Sequence, residues 1–170
     1  MTTTTVSHIL KASTGQTLGA LKGMLIKGEA YARKLNVEDG VILSHRLYPD
    51  MFALTRQVQI ACDTVARGAA RLAGLDMPEF PDTEQTFAEL IARCDKAMAY
   101  VKGIDDAKID ANTNVTLQIP MGPNTMPMEG RAYLSGFILT NLHFHAAIAY
   151  ALLRAQGLNI GKRDYLVPVE

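Results

Sequence analysis

Apolar side chains recur at steps of three and four along four stretches of this chain, and at steps of two along one short stretch. Leu18, Leu21, Leu25, Gly28, Ala32 and Leu35 fall on one stripe of a first helix. That helix is expected to begin after Thr14, with a separate short turn over 6–12 before it, and to end in the turn chemistry of 36–40. Pro49 suits a first helical position, and Asp50 behind it suits the positive end of a helix. From there Met51, Leu54, Val58, Ala61, Val65, Ala69 and Leu72 form a second stripe, which stops before Gly74. Two prolines make 76–81 a connection. Asp82 then reads as a capping residue with Gln85 reaching back to it. Phe87, Leu90, Ile91, Cys94, Met98 and Val101 give the third stripe, ended by Gly103.

The period changes at Val115, Leu117 and Ile119, which alternate with Thr116 and Gln118 as in a half-buried strand. The run Pro120-Met121-Gly122-Pro123-Asn124 is a turn, and Met126 and Met128 suggest a short return strand that Pro127 confines to a sheet edge. A hairpin alone is marginal in water, so it must lean on the helices. The fourth helix is expected from Gly130 to Gln156, with Gly157 as its stop, and the tail over 158–170 should pack across the rest. These elements predict an all-α chain of 170 residues, one domain over 1–170: an antiparallel four-helix bundle with a short β-hairpin before the last helix.

Charge removes some functions from consideration. Lys plus Arg and Asp plus Glu are 17 each, and no basic run interrupts the chain, so nothing favours nucleic acid or an anionic membrane as a partner. No unbroken apolar run approaches the roughly 18 residues of a membrane span. The start, Met1 followed by four threonines, lacks the charged and apolar regions of a signal peptide, so the cytoplasm is the expected compartment. The two cysteines, Cys62 and Cys94, lie on apolar helix faces and form no metal or redox motif; they read as reduced core thiols. Phosphate loops, nucleophile elbows and His-Glu-x-x-His are absent. Gly161-Lys162-Arg163-Asp164 reads as a tail segment anchored by its mixed charges.

Two polar residues interrupt the fourth apolar stripe. Asn141 and His145 are one turn apart, on the side of Leu134, Ile138 and Leu152, so both are expected to point inward. An unpaired buried amide or imidazole costs about 1–3 kcal/mol, so partners are required. On the second helix Asp50 and Gln57 are seven residues apart, nearly two turns, and could meet them. Asp50, Gln57, Asn141 and His145 are therefore the candidate polar site. It is either a small pocket, with His145 and an oxygen ligand available to a metal ion, or a hydrogen-bonded network that fixes helix register. His143 points about 200° away from His145 and reads as surface. His45 belongs to a loop, and His8 has no assigned role.

Two motifs resemble a known family. Arg46-Leu47-Tyr48-Pro49-Asp50-Met51-Phe52 with Gln57-Val58-Gln59-Ile60-Ala61-Cys62-Asp63, and Thr140-Asn141-Leu142-His143-Phe144-His145 with Gly161-Lys162-Arg163-Asp164-Tyr165, resemble the domain-of-unknown-function family numbered one-nine-nine-three. That family is similar in fold to the DinB/YfiT-like helical bundles, in which a divalent metal is held by one His of helix two and two His, four apart, of helix four. The resemblance makes His145 the second helix-four ligand and places Asn141 where the first would be. The second helix has no His, so Asp50 or Gln57 would have to substitute. An amide serves zinc or nickel poorly in place of an imidazole, so no tightly bound cofactor is expected, at most a weakly held divalent metal. The expected function is that of a non-catalytic binding or structural homodimer, with a small-molecule ligand as the further partner the cluster could take. The alternative is a DinB-like metal-dependent enzyme, a transferase or hydrolase on a small molecule, with a degenerate ligand set.

Overall fold

The computed structural model describes residues 4–169; residues 1–3, on which the expectation of no signal peptide partly rests, and the last residue of the tail lie outside the described residues. The chain is predominantly helical, with one two-stranded antiparallel hairpin.

Helix α1 runs unbroken over Val6–Leu35, so the short turn and first helix expected separately are one element. Nothing at 12–16 breaks it: Gly15 costs an α-helix about 1 kcal/mol, while Val6 and Leu10 are buried and hold the first turns down. Thr5 caps it by accepting the His8 amide, and Asp110 accepts the amide and hydroxyl of Ser7 at 2.8 and 2.7 Å. It ends at Asn36, in the left-handed conformation at φ 55° that short polar side chains tolerate.

Helix α2 (Asp39–Leu43) is short, and the loop over 44–53 follows it. Helix α3 covers Leu54–Leu72, five residues shorter at its start than the proline suggested. Pro49 and Asp50 sit instead in an exposed turn. Arg46 closes that loop onto the Met51 carbonyl at 2.7 Å, and the Leu54 amide reaches the His45 carbonyl at 3.0 Å. The helix begins at Leu54, the first residue of the stripe that the core buries completely.

Helix α4 spans Phe87–Gly103 and is capped by Thr86, not by Asp82. Thr86 accepts the Glu89 amide while Glu89 accepts the Thr86 amide, a complete capping box placed directly before buried Phe87. Asp82 is drawn off by Arg93 and Arg56. Helix α5 (Asp106–Ala111), too short to show a period, is capped by Asp105. Strands β1 (Thr116–Met121) and β2 (Asn124–Glu129) pair from Thr116↔Glu129 to Met121↔Asn124 around Gly122, and Ile119 is their buried anchor.

The last long helix is continuous but not uniform. Helix α6 (Gly130–Ala132) leads into a π turn over Tyr133–Ile138, which leads into α7 (Leu139–Ala155). Gly68 of α3 admits Ile138 so closely that a Cβ there would lie 2.6 Å from its Cδ1. By length and composition Gly130–Ala155 could cross a membrane, although no unbroken apolar run signalled it; 39% of its most apolar window is buried within this chain. The long helices pack α1 on α4 and α7, and α3 on α4 and α7, around a contiguous apolar cluster. Cys62 and Cys94 lie in it as free thiols, their sulfurs 3.8 Å apart. The tail carries a short helix α8 (Lys162–Leu166) and lies along α1: Asp164 pairs with Lys27, and Gln16 reaches the Leu166 carbonyl at 3.1 Å.

Candidate polar site around His145

Helix α3 places Gln57 one turn inside its N-terminus, and α7 brings His145 opposite it. Both are buried, and His145 Nδ1 lies 2.7 Å from Gln57 Oε1. The Gln57 amide group donates from Nε2 to the Phe52 carbonyl at 3.2 Å. That bond fixes which end of the amide faces His145, so Oε1 accepts and Nδ1 carries the proton. The imidazole is thereby held in one tautomer, with its lone pair on Nε2. Burial pushes the His145 pKa below its ordinary value, and the charge of Arg56 pushes it the same way. The ring is neutral at pH 7. Phe144 packs edge-on against it, ring centroids 5.1 Å apart.

The other two candidates do not join this pair. Asp50 is fully outside, in the exposed turn that precedes α3. Asn141, expected to point inward, is only half-buried. The buried row of α7 is Leu142, His145, Ala146, Ala149, Leu152 and Leu153, so its centre runs past Asn141, which lies at its edge. The cause is its place within α7 itself: at 100° per residue Asn141 falls about 80° from the centre of that row, on the far side of His145 from Leu142 and Ala146. His143 and His45 are exposed, and Tyr165 donates to the His143 carbonyl at 3.3 Å.

The donor set does not fit the three-ligand metal centre implied by the resemblance. His145 has one nitrogen committed to Gln57, Asn141 offers an amide at the helix edge, and Asp50 is outside. Among the described residues no three His, Cys, Asp or Glu side chains converge.

Two exposed apolar residues adjoin the pair: Phe144, 54% exposed, on the His145 ring, and Phe52, 52% exposed, whose carbonyl Gln57 bonds. Leu47 and Tyr48 of the same loop as Phe52 are also exposed. Sequence reasoning missed this surface because the second stripe seemed to absorb the loop. It also missed Arg93. That residue is the second buried polar centre, with a side chain only 2% exposed, bonded to Asp63, Asp82 and Glu84 at 2.6, 2.9 and 2.8 Å. It also donates to the Pro81 carbonyl at 2.9 Å, so it ties the 73–86 connection to α3 and α4. An arginine within the α4 apolar stripe was the available signal.

This helical chain, with a hairpin before its last long helix, is DinB-like in class. In keeping with this, a solved structure described as a DinB family member protein from Shewanella denitrificans is similar over 94% of this chain and 90% of its own, at 36% identity and a TM-score of 0.84. The chain belongs to the family described as Domain of unknown function (DUF1993), which matches residues 8–166. No curated protein matches the chain.

Proposed function

We propose that this protein is a non-catalytic binding or structural protein that works as a homodimer, built as a single domain in which the four long helices form an antiparallel bundle. The observation that carries this reading is how His145 and Gln57 are used. Their bond joins α3 to α7, and the amide of Gln57 continues it to the Phe52 carbonyl, so the polar atoms meet one another within the fold. Such a buried pair specifies how two helices sit against each other. Exposed Phe144, packed on the His145 ring, and exposed Phe52, whose carbonyl Gln57 bonds, supply the surface for a second copy, since exposed large apolar side chains can mark an interaction site. Two-fold pairing would bring the same patch from both chains together. Light scattering of the purified chain tests this: the expected mass is twice 18.5 kDa, falling to the single-chain mass in Phe144→Ser. A monomer at high concentration, or a dimer indifferent to Phe144→Ser, overturns the reading.

One observation supports the alternative, an enzyme. A neutral imidazole locked with its lone pair on Nε2 is what a general base requires. Elemental analysis of the untagged protein, compared with His145→Ala, separates the metal-dependent form of that alternative: one equivalent of metal lost in the variant would favour it.

A further inference from the structure

A second site lies away from His145, in the groove between α1 and α4. Lys11, Thr14, Gly15 and Lys22 project from one face of α1, and Asp95, Met98 and Lys102 from the facing stripe of α4. They enclose about 480 Å³, a volume in the range of ligand pockets, with Val169 of the tail as one wall.

Three features of this groove have no structural explanation. Thr14 is buried, and its hydroxyl has no hydrogen-bond partner among the described residues. Buried hydroxyls are nearly always satisfied, so an orphan on a cavity wall points to a missing acceptor. Gly15 lies in the middle of a long helix, where glycine is unfavourable. No packing demands it, because a Cβ there would meet nothing within 4 Å. The third feature is charge. Lys22 pairs with Asp95 at 2.8 Å, and Lys11 pairs with Asp106 at 2.5 Å and donates to the Ile104 carbonyl. Lys102 has no acidic partner within salt-bridge distance among the described residues, so Lys11, Lys22 and Lys102 outnumber their described partners Asp95 and Asp106. Met98, Val101 and Val169 make the remainder apolar.

We infer that the groove binds a small amphipathic carboxylate, a molecule with one anionic head and an apolar chain. Lys102 holds the carboxylate, and the Thr14 hydroxyl donates to the same head. The chain lies over Gly15, against Met98 and Val101. The inference is independent of the dimer and of the His145 pair.

The test titrates octanoate, and octan-1-ol as its neutral counterpart, into the full chain and follows the Met98 methyl resonance. Octanoate is expected to shift it saturably, and the alcohol to need about tenfold more, the effect of one charge-assisted hydrogen bond. Lys102→Gln should weaken octanoate about tenfold on the same grounds. Gly15→Leu should fill the groove and abolish the shift while the helical signal is kept. No shift with octanoate, equal binding of acid and alcohol, or unchanged binding in Gly15→Leu overturns the inference. Should Gly15→Leu fail to fold, unchanged octanoate affinity in Lys102→Gln overturns it alone.

Discussion

Replacing His145 and Gln57 by leucine, singly and together, separates a pair that holds the helices from one kept in readiness for a ligand. In His145→Leu the leucine fills most of the imidazole volume, so little cavity remains, and the cost is the stranded Gln57 oxygen. Gln57 is 2% exposed and cannot turn that oxygen to water. The expected loss is about 1–3 kcal/mol, near the upper end because the bond removed is short, at 2.7 Å. Gln57→Leu strands the imidazole N–H at a similar cost. It also frees the Phe52 carbonyl, which belongs to an exposed loop residue where water can replace the amide. With both replaced, neither polar group is left unpaired, and the double variant should lie within about 1 kcal/mol of the wild type. The two losses are thus far from additive: summed they come to about 4–6 kcal/mol, about 3 kcal/mol or more beyond the double variant's. Urea unfolding followed by far-ultraviolet circular dichroism measures all four proteins.

The same series fixes a pH dependence. The folded pKa of His145 lies below the unfolded 6.5, so the unfolded chain takes up the proton first as pH falls. The contribution of His145 is fully present above about 6.5 and is lost as pH drops toward the folded value. That slope should vanish in His145→Leu. Additive losses in the double variant, or single variants within about 0.5 kcal/mol of the wild type, would refute the structural role.

Asn141→Leu should be tolerated or slightly stabilising in thermal melts, because Asn141 lies at the edge of the buried row; the expected change is within about 0.5 kcal/mol of zero. Arg93→Met should lower stability by about 3 kcal/mol in urea titrations, at the lower end for a broken buried ion pair, because Arg56 still reaches Asp82 and Arg67 lies 3.8 Å from Asp63. Adding Glu84→Gln should recover part of that loss, and no recovery would mean that the buried carboxylate is not its source.

The long helices and the hairpin were legible because apolar spacing survives wherever one face of a regular element is buried. Leu54, Val58, Ala61, Val65, Ala69 and Leu72 are all in the core, as their steps of three and four require. The starts were less legible. Both Pro49-Asp50 and Asp82-Gln85 carry helix-start chemistry, yet the loop closed by Arg46 and the pull of Arg93 on Asp82 decide where the helices begin, and those are tertiary contacts. In the polar site, the seven-residue spacing put Asp50 and Gln57 on one stripe, but only Gln57 is helical. Asn141 was placed inward because it is one turn from His145, but the buried row of α7 is centred on the Leu142 side of His145, which leaves Asn141 at the edge; no residue type in Tyr133–Ile138 announces the π turn before it.

That π turn makes chain length, as well as residue identity, a determinant of what faces Gln57. Deleting one residue within Tyr133–Ile138 would restore an α turn and rotate everything downstream by about 100° relative to everything upstream. Leu134 could then keep its place only if His145 left Gln57. Counting back from Gly157 preserves phase along α7, whereas counting forward from Gly130 crosses the irregular turn and loses it. A relative lacking the π turn would present to its Gln57 equivalent the residue one place off in any ungapped comparison. Gain or loss of a histidine at that point in related chains can therefore arise by insertion or deletion in the π segment, with no substitution at the site itself.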